Sequence, residues 1–242
     1  WYEKIKMSYS GQFQNSLTAK QNEFFKKSLI KDWRNGMQHK VPISATFNVL
    51  NYVNITPSIN LSDRMYTRKV RRHWDPVAGI EVCDTNYSFY NVWDFRASVS
   101  LDTKLYGFYS PIGPLKKKIK MVRHVMTPTI SFNGAPDYSS PFFGYYGKYQ
   151  YEGANGQMLE RKYSYFPNAL YGVPSEGKEG SMSFSLANNL EMKVRNDQDT
   201  TGEEQFRKIK LLESFRIQVS YNPFAEKFKF STIGLSARTK LF

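Results

Sequence analysis

Residues 181–195 carry two opposite surfaces in one short stretch, and this alternation constrains the fold more than any other feature. Successive side chains of a β-strand point to opposite faces of its sheet, so this strand has one apolar and one polar face. Soluble strands usually run about five or six residues, and a strand this long is typical of one tilted across a bilayer. The apolar positions are Met182, Phe184, Leu186, Leu190, Met192 and Val194, interrupted by Asn188, and the polar ones are Ser181, Ser183, Ser185, Asn189, Glu191, Lys193 and Arg195.

The same alternation returns along most of the chain. About eight segments show it strongly and two show it more weakly. No segment of comparable length repeats apolar residues at the spacing of an amphipathic helix. The sequence therefore predicts an all-β protein. The predicted strands are residues 4–14, 41–49, 53–62, 93–102, 122–132, 181–195, 214–221 and 231–241.

The connections between these strands differ in length. Short turns at one end and long loops at the other are typical of outer-membrane barrels. Tight turns are predicted at residues 50–52, 102–104 and 223–227, and long excursions rich in Gly, Pro, Tyr and charge at residues 15–40, 64–88 and 134–179.

We therefore predict an antiparallel transmembrane β-barrel with long loops, of which this chain supplies about eight to ten strands of a larger barrel. No stretch approaches the roughly 18 consecutive apolar residues of a spanning helix, but barrel strands bury only alternate residues in lipid. The 17 Tyr and 18 Phe residues would supply aromatic girdles at the two membrane interfaces. Residues 1–242 are expected to form a section of one barrel domain, a fragment without a second domain.

The charge of the chain indicates polyanionic partners. The formal net charge is +13, which suits the phosphates of lipid head groups or nucleic acid. Two basic clusters are candidate head-group contacts, and a solvated charge run is the alternative interpretation of both. The first lies in a predicted loop and the second leads into a predicted strand. The clusters are Arg68, Lys69, Arg71 and Arg72, and Lys116, Lys117, Lys118 and Lys120.

If the apolar positions face lipid, the polar positions face a wet lumen. A Lys or Arg on the lipid face at the bilayer midplane costs about 2 to 4 kcal/mol, and the alternation avoids this. Each assignment depends on the register of its strand. The candidate lumen-facing residues are Lys4, Lys6, Asp94, Arg96, Glu191, Lys193 and Arg195.

Signals of enzymatic activity are nearly absent from the sequence. The three histidines lie far apart and in no metal-ligand spacing, and Cys83 is the only cysteine. The chain has neither a Gly-rich phosphate loop nor a nucleophile elbow. We expect no catalytic residue, no metal site and no cofactor.

Several short stretches of the sequence carry a resemblance to a known family. They are residues 32–39 with Val41 and Pro42, 103–109, 123–132, 136–138, 185–193 and 220–239. These stretches, most strongly residues 123–132, resemble members of the LptD family of lipopolysaccharide-assembly proteins, in the form found in Bacteroides-like bacteria.

The resemblance implies a very large barrel in the outer membrane of a Gram-negative cell. Such a barrel receives lipopolysaccharide from the periplasmic Lpt bridge, holds a plug lipoprotein, LptE, and releases the lipid sideways among the outer-membrane lipids. The activity would be lipid transport without catalysis, and nucleic acid would not be a partner. Two alternatives stay open from the residues alone: a generic porin or nutrient-uptake barrel, and a soluble basic β-sandwich that binds glycan or nucleic acid.

Overall fold

The computed structural model describes residues 2–18, 33–153, 155–195 and 206–239, and these residues are built almost wholly of antiparallel strands. Eleven strands form one sheet and two more form a separate hairpin. Two short 3-10 helices, Tyr2–Lys4 and Gly113–Lys117, are the helical elements of this part of the chain. Among the same residues, no helix has the length and apolar character to cross a bilayer. The all-β prediction is confirmed.

The longest strands lie in the middle of the large sheet. β5 and β6 have 23 and 24 residues, several times the length of a typical soluble strand. The strands are β1 Ile5–Met7, β2 Ser10–Ser16, β3 Arg34–Ala45, β4 Phe47–Val49, β5 Val53–Asp75, β6 Ile80–Thr103, β7 Leu105–Tyr109, β8 Ile119–Ala135, β9 Tyr146–Glu152, β10 Met158–Ser164, β11 Glu179–Arg195, β12 Phe206–Tyr221 and β13 Gly234–Arg238.

The large sheet is an antiparallel meander in the order β1-β3-β5-β6-β8-β11-β12-β13. Three short strands, β2, β4 and β7, each pair with the same partner as the strand before them in the chain. Thus β1 and β2 both pair with β3, β3 and β4 with β5, and β6 and β7 with β8. β9 and β10 pair only with each other. Neighbours in the chain thus become neighbours in the sheet, as short connections favour.

The turn predicted at residues 50–52 is present, and the one predicted at 102–104 is not. Leu50 and Asn51 both take positive φ, as the central residues of a type I′ hairpin turn do. At the second place, by contrast, Asp102 pairs with Thr129 and Leu105 with Met126, so β6 and β7 hold one register against β8. β6 and β7 therefore run in the same direction along β8, and the chain reverses only after β7.

The long excursion predicted at residues 64–88 is wrong. These residues extend β5 and β6 into one hairpin, paired as far as Asp75 and Ile80. The register shifts once, between Tyr66 and Arg68, which marks a β-bulge. Beyond β3 and β8 this hairpin stands clear of the rest of the sheet.

Residues 136–153 and 155–178, which we call the strap, pack against this hairpin. Most of the predicted excursion 134–179 is the strap, and it contains the short strands β9 and β10. The principal buried hydrophobic cluster lies between strap and hairpin, and Val92 at its centre is 0% exposed. Its buried members are Tyr66, Val92, Tyr138, Tyr145 and Phe166. The core of the molecule therefore sits at one end of the sheet and not between two sheets.

Two tyrosine hydroxyls of the strap continue the hydrogen-bond ladder of β6. The pairing of β8 with β6 stops at Ala97 and Gly134. Beyond that point Tyr138 Oη accepts from Phe95 N at 2.6 Å and donates to Phe95 O. Tyr145 Oη accepts from Trp93 N at 2.9 Å and donates to Trp93 O at 2.8 Å. Four backbone groups at a strand edge are thus satisfied by side chains.

The strap closes the other edge of the hairpin in a similar way. β3 pairs with β5 only as far as Gly36 and Tyr66. Past it, Val70 N donates to the Tyr165 carbonyl at 2.8 Å, and Arg72 N donates to Tyr163 Oη at 2.9 Å. Both long edges of the hairpin therefore have partners in the strap.

The large sheet is open within the described residues. β1 and β2 form one edge and β13 forms the other, and these edges do not meet. The predicted excursion 15–40 is partly wrong, because β2 continues to Ser16 and β3 begins at Arg34; its residues 19–32 lie outside the described ranges. The structure shows an antiparallel sheet with two different faces, and no closed barrel within these ranges.

Candidate functional site

The register of the large sheet aligns polar residues on one side, which we call the polar face. Alternation within each strand gives every strand one polar side, and the ladders place these sides next to each other. One row crosses five strands and consists wholly of hydroxyl residues. That row is Thr56, Ser100, Ser131, Ser183 and Ser220.

Short hydrogen bonds tie neighbouring strands together across the polar face. Ser58 and Ser98 hydroxyls lie 2.6 Å apart, and Asn133 Nδ2 donates to Ser181 Oγ at 2.7 Å. Cross-strand hydroxyl pairs of this kind contribute about 0.2–1 kcal/mol each. The contacts keep a wet surface ordered while leaving donors and acceptors for a polar ligand.

Three arginine–carboxylate pairs lie along the same face. Arg64 bonds Asp94 and Arg96 bonds Glu179, and Arg123 Nη2 lies 2.6 Å from Glu191 Oε2. Arg64 and Asp94 are the most buried pair, with side chains 13% and 21% exposed. The other two pairs are more open to water, so each adds little to stability. Their main effect is to place paired opposite charges among the hydroxyls and amides of this face.

The predicted lumen-facing residues have different positions in the structure. Asp94, Arg96, Glu191 and Lys193 lie on the polar face, and so does Lys6, which pairs with Ser44. Arg195 keeps the same parity at the end of β11.

Lys4 is an exception to the alternation. It lies in the 3-10 helix that precedes β1. Side chains of a 3-10 helix do not alternate between two faces. The parity argument that placed Lys4 in a lumen therefore does not apply to it.

The two basic clusters lie at opposite ends of the sheet. The first cluster lies in the free part of β5, the part beyond Tyr66 that has no β3 partner, so its predicted loop position is wrong. Its side chains contact the strap and β6. Lys69 Nζ lies 4.0 Å from the centre of the Tyr165 ring, and Arg72 bonds Glu81 at 2.6 Å. The second cluster begins in the 3-10 helix between β7 and β8, where Lys120 Nζ lies 4.4 Å from the centre of the Phe206 ring. Positive charge therefore marks both ends of the sheet.

Glu81 holds the outer end of the hairpin to the strap. It accepts hydrogen bonds from Tyr149 Oη and from Arg72, and Arg161 Nη1 lies 3.4 Å away. The Tyr149 hydroxyl, followed by Arg72, keeps the pKa of the Glu81 carboxyl below its usual value. Burial opposes this effect only partly. A carboxylate with a lowered pKa stabilises the fold above the pKa of the unfolded chain and loses that contribution as the pH falls through its folded pKa.

The opposite side of the sheet, which we call the apolar face, is formed by large hydrophobic residues exposed to the surroundings. Phe132 is 45% exposed and Phe184 40%. Monomeric soluble proteins rarely leave a continuous surface of this kind uncovered. Two of its rows are Val99, Phe132, Met182 and Tyr221, and Leu101, Ile130, Phe184 and Val219.

A pair of polar side chains interrupts the apolar face. His124 Nε2 lies 3.1 Å from Asn188 Oδ1, and Asn188 Nδ2 lies 3.4 Å from the Phe215 carbonyl. The next residue, Asn189, donates to the Glu213 carbonyl at 3.0 Å. The register of β11 against β12 shifts beside these contacts. The break in the alternation at Asn188 is therefore half of a cross-strand pair at a β-bulge.

Replacing Asn188 by Leu should destabilise the sheet by about 1–3 kcal/mol, because His124 and the Phe215 carbonyl lose a partner on an apolar surface. Replacing His124 and Asn188 together by Leu should recover part of that loss, since no imidazole is then left unpaired. Urea unfolding of the protein in lipid vesicles would measure both variants. Additive losses would show that the two side chains do not act as a pair.

Sequence reasoning missed the partners that organise the polar face. The register of the sheet places three further residues beside the predicted Asp94, Arg96 and Glu191, and spacing along the sequence does not single them out. They are Arg64, Glu179 and Arg123. Cys83 is exposed on β6. Among the residues that the structure describes, no group of three or more His, Cys, Asp or Glu side chains could hold a metal ion.

Comparison with known proteins gives one match. A family model described as LptD protein matches residues 1–242. The chain matches neither a curated protein nor a solved structure.

Proposed function

Because the chain belongs to the LptD protein family, we propose that its large sheet is a section of a transmembrane barrel that delivers lipopolysaccharide to the outer leaflet. The family carries lipid and acts in lipopolysaccharide transport and assembly at the outer membrane, together with other Lpt components. The chain therefore acts in lipopolysaccharide transport and assembly at the outer membrane. The barrel, its route for the lipid and its particular partners are our proposal.

The two-faced sheet is the observation that carries this proposal. A tilted strand needs about 9–11 residues to cross a bilayer, and β6, β8 and β11 have 24, 17 and 17. Away from the outer part of the β5–β6 hairpin, their large exposed hydrophobic residues share the apolar face, and their charges lie on the polar face or beyond the apolar rows. In water this arrangement leaves the apolar face uncovered, whereas in a membrane lipid covers it.

In this proposal the polar face lines a water-filled lumen. The hydroxyl rows and arginine–carboxylate pairs would hydrogen-bond the saccharide of a passing lipopolysaccharide, while its acyl chains leave through the wall. No covalent step is required, so the mechanism is transport without catalysis and without a cofactor. The residues we place in the lumen are Lys6, Asp94, Arg96, Glu191, Lys193 and Arg195.

The basic clusters fit the two rims of such a barrel. Each Lys or Arg close to an anionic membrane surface contributes about 1 kcal/mol of attraction. We propose that the free part of β5 meets phosphorylated head groups on one side of the membrane, and the 3-10 helix after β7 those on the other. The contacting residues would be Arg68, Lys69, Arg71 and Arg72, and Lys116, Lys117, Lys118 and Lys120.

We further propose that residues 1–242 form part of one multi-pass barrel domain. A single meander runs from β1 to β13, and the separate hairpin of β9 and β10 packs on that sheet. The open edges would pair with further strands to close the barrel, because an uncovered strand edge invites pairing. The plug lipoprotein LptE would sit against the polar face, and the periplasmic Lpt bridge would supply the lipid.

Depletion of the protein tests this function. We expect surface lipopolysaccharide to fall and the protein to require detergent for extraction from outer membranes. Normal surface lipopolysaccharide with impaired uptake of small solutes would instead identify a porin. Recovery of the protein as a detergent-free monomer would identify a soluble β-sandwich.

A further inference from the structure

Two lysines face each other directly across the polar face. Lys193 on β11 and Lys208 on β12 are Cα partners in the antiparallel ladder. The Cβ atoms of such partners lie about 4.5–5.5 Å apart, and like charges placed there destabilise the sheet. Lys193 is half-buried, which limits how far it can turn away into water. Other partners on this face are two hydroxyls, as at Ser100 and Ser131, or opposite charges, as at Arg123 and Glu191, whereas here two cations are partners.

More positive charge surrounds this pair. Arg123 on β8 lies on the same face, and its guanidinium holds the Glu191 carboxylate at 2.6 Å. Glu191 is also the Cα partner of Lys210, but Lys210 Nζ lies 3.9 Å from Glu213. The carboxylate that lines this region is therefore already engaged by Arg123.

An open cavity of about 160 Å³ occupies the place where these groups meet. Arg123, Lys193 and Lys208 form its cationic side, with Glu191 as the one carboxylate among the described residues that line it. Three cations and one carboxylate leave two positive charges in excess. Phe108 and Met121 form an apolar side. A ligand that fits both sides carries a compact anion next to a less polar group.

We propose that this cavity, which we call the lysine-pair site, binds a phosphate group of the lipid cargo. A phosphate monoester carries a charge of about −1.5 to −2 near neutral pH and three acceptor oxygens, which match the excess charge. Two ammonium groups contribute as point charges, and Arg123 keeps further N–H donors beside its bond to Glu191. Binding would turn a repulsive pair into a bridged one. The inference rests on the proposed function, because that function makes a phosphorylated glycolipid the cargo.

The site lies at the end of the sheet opposite the strap. β11 runs from Glu179, beside the strap, to Arg195, and Lys193 is near its far end. Lys118, from the second basic cluster, accepts the Arg195 amide at 2.8 Å through its carbonyl oxygen. The lysine-pair site and that cluster therefore form one basic region reaching from the rim onto the polar face.

Binding of phosphorylated lipid to the full protein in detergent tests the inference. The probes are micelles of diphosphorylated lipid A, micelles of the dephosphorylated lipid, and inorganic phosphate alone. Replacing Lys193 and Lys208 by Gln should weaken binding of diphosphorylated lipid A about tenfold or more. Replacing Lys227 and Lys229 by Gln, in the turn after β12 at the other end, removes the same charge and should leave binding unchanged. The dephosphorylated lipid should not distinguish the two variants.

Thermal unfolding gives a second readout with opposite signs. Without ligand, the Lys193→Gln/Lys208→Gln variant should be more stable than the wild type because the repulsion is gone. With phosphorylated lipid, the wild type and the Lys227→Gln/Lys229→Gln variant should gain more stability than the Lys193→Gln/Lys208→Gln variant. If inorganic phosphate stabilises the wild type as much as diphosphorylated lipid A does, free phosphate is the ligand and the assignment to the cargo is overturned. Equal lipid binding by the lysine-pair variant and the wild type would overturn the site itself.

The two proposals fail in different ways. Unchanged surface lipopolysaccharide after depletion overturns the proposed function whatever these lysines bind. Loss of surface lipopolysaccharide on depletion, with wild-type lipid binding by the lysine-pair variant, overturns only the lysine-pair site.

Discussion

Replacing Leu186 by Arg should destabilise the protein in lipid vesicles by about 2–4 kcal/mol, the cost of placing a guanidinium near the bilayer midplane on the face that we propose meets lipid. Leu186 lies on the apolar face in the middle of β11, between Pro128 of β8 and Ile217 of β12. An arginine there would have to leave its charge in hydrocarbon or bend its side chain toward an interface. Denaturant unfolding in vesicles would measure the change in the free energy of unfolding.

The neighbouring Ser185 provides a matched control. It lies on the polar face, where its Cα partners are Thr129 and Gln218. Replacing Ser185 by Arg adds the same side chain one residue away, and we expect a change within about 1 kcal/mol because the new charge meets water. Equal losses in the two variants would contradict the assignment of the apolar face to lipid. A larger loss for Ser185→Arg would reverse the two faces.

Replacing both Tyr138 and Tyr145 by Phe should release the strap from the edge of β6. Each hydroxyl satisfies one backbone N–H and one carbonyl, at Phe95 and at Trp93. Leaving such groups unpaired costs about 1–3 kcal/mol for each hydroxyl lost, while the rings stay in place. Hydrogen exchange at the Trp93 and Phe95 amides should accelerate by about tenfold or more, because local opening becomes easier.

Tyr52 provides the control for this variant. It lies in the turn at the other end of the sheet, where it is 77% exposed. Tyr52→Phe removes the same hydroxyl and should leave exchange at Trp93 and Phe95 unchanged. Unaltered exchange in the double variant would show that the hydroxyls do not protect the edge of β6.

The strands that we propose cross the membrane were the most predictable part of the fold. Residues 181–195 predict a strand by alternation alone, and β11 runs from Glu179 to Arg195. In the membrane position that we propose, one side of this strand must suit lipid and the other water, which requires a strong alternation. The LptD family, inferred from short stretches of sequence, is confirmed by a match over the whole chain.

The hairpin beyond the sheet could not be predicted in the same way. Arg68 to Arg72 show no alternation, since this part of β5 meets water and the strap, and a run of cations reads as a loop. Its strands are held by pairing between β5 and β6 and by bonds from the strap, such as those of Tyr163 and Tyr165. These contacts join residues far apart in the chain, and spacing along the sequence does not encode them.

The partners on the polar face were hidden for a related reason. Alternation shows that Arg96 and Glu191 share a side with other polar residues, but only the register shows that Arg96 meets Glu179 and Glu191 meets Arg123. Register depends on bulges and turns, such as the shift between Tyr66 and Arg68. A single added residue moves every later partner.

The strap tyrosine hydroxyls that bond the backbone of β6 also bear on how the protein resists self-association. A bare strand edge is a template for adding another chain, and the free hairpin would offer two such templates in water. The strap occupies both, and mostly with phenol hydroxyls, each of which ends a ladder that a strand would extend. Proteolytic cleavage within the strap would therefore convert a shielded hairpin into a seed for intermolecular β-pairing, so that damage to this one segment would appear as aggregation before it appeared as loss of the sheet.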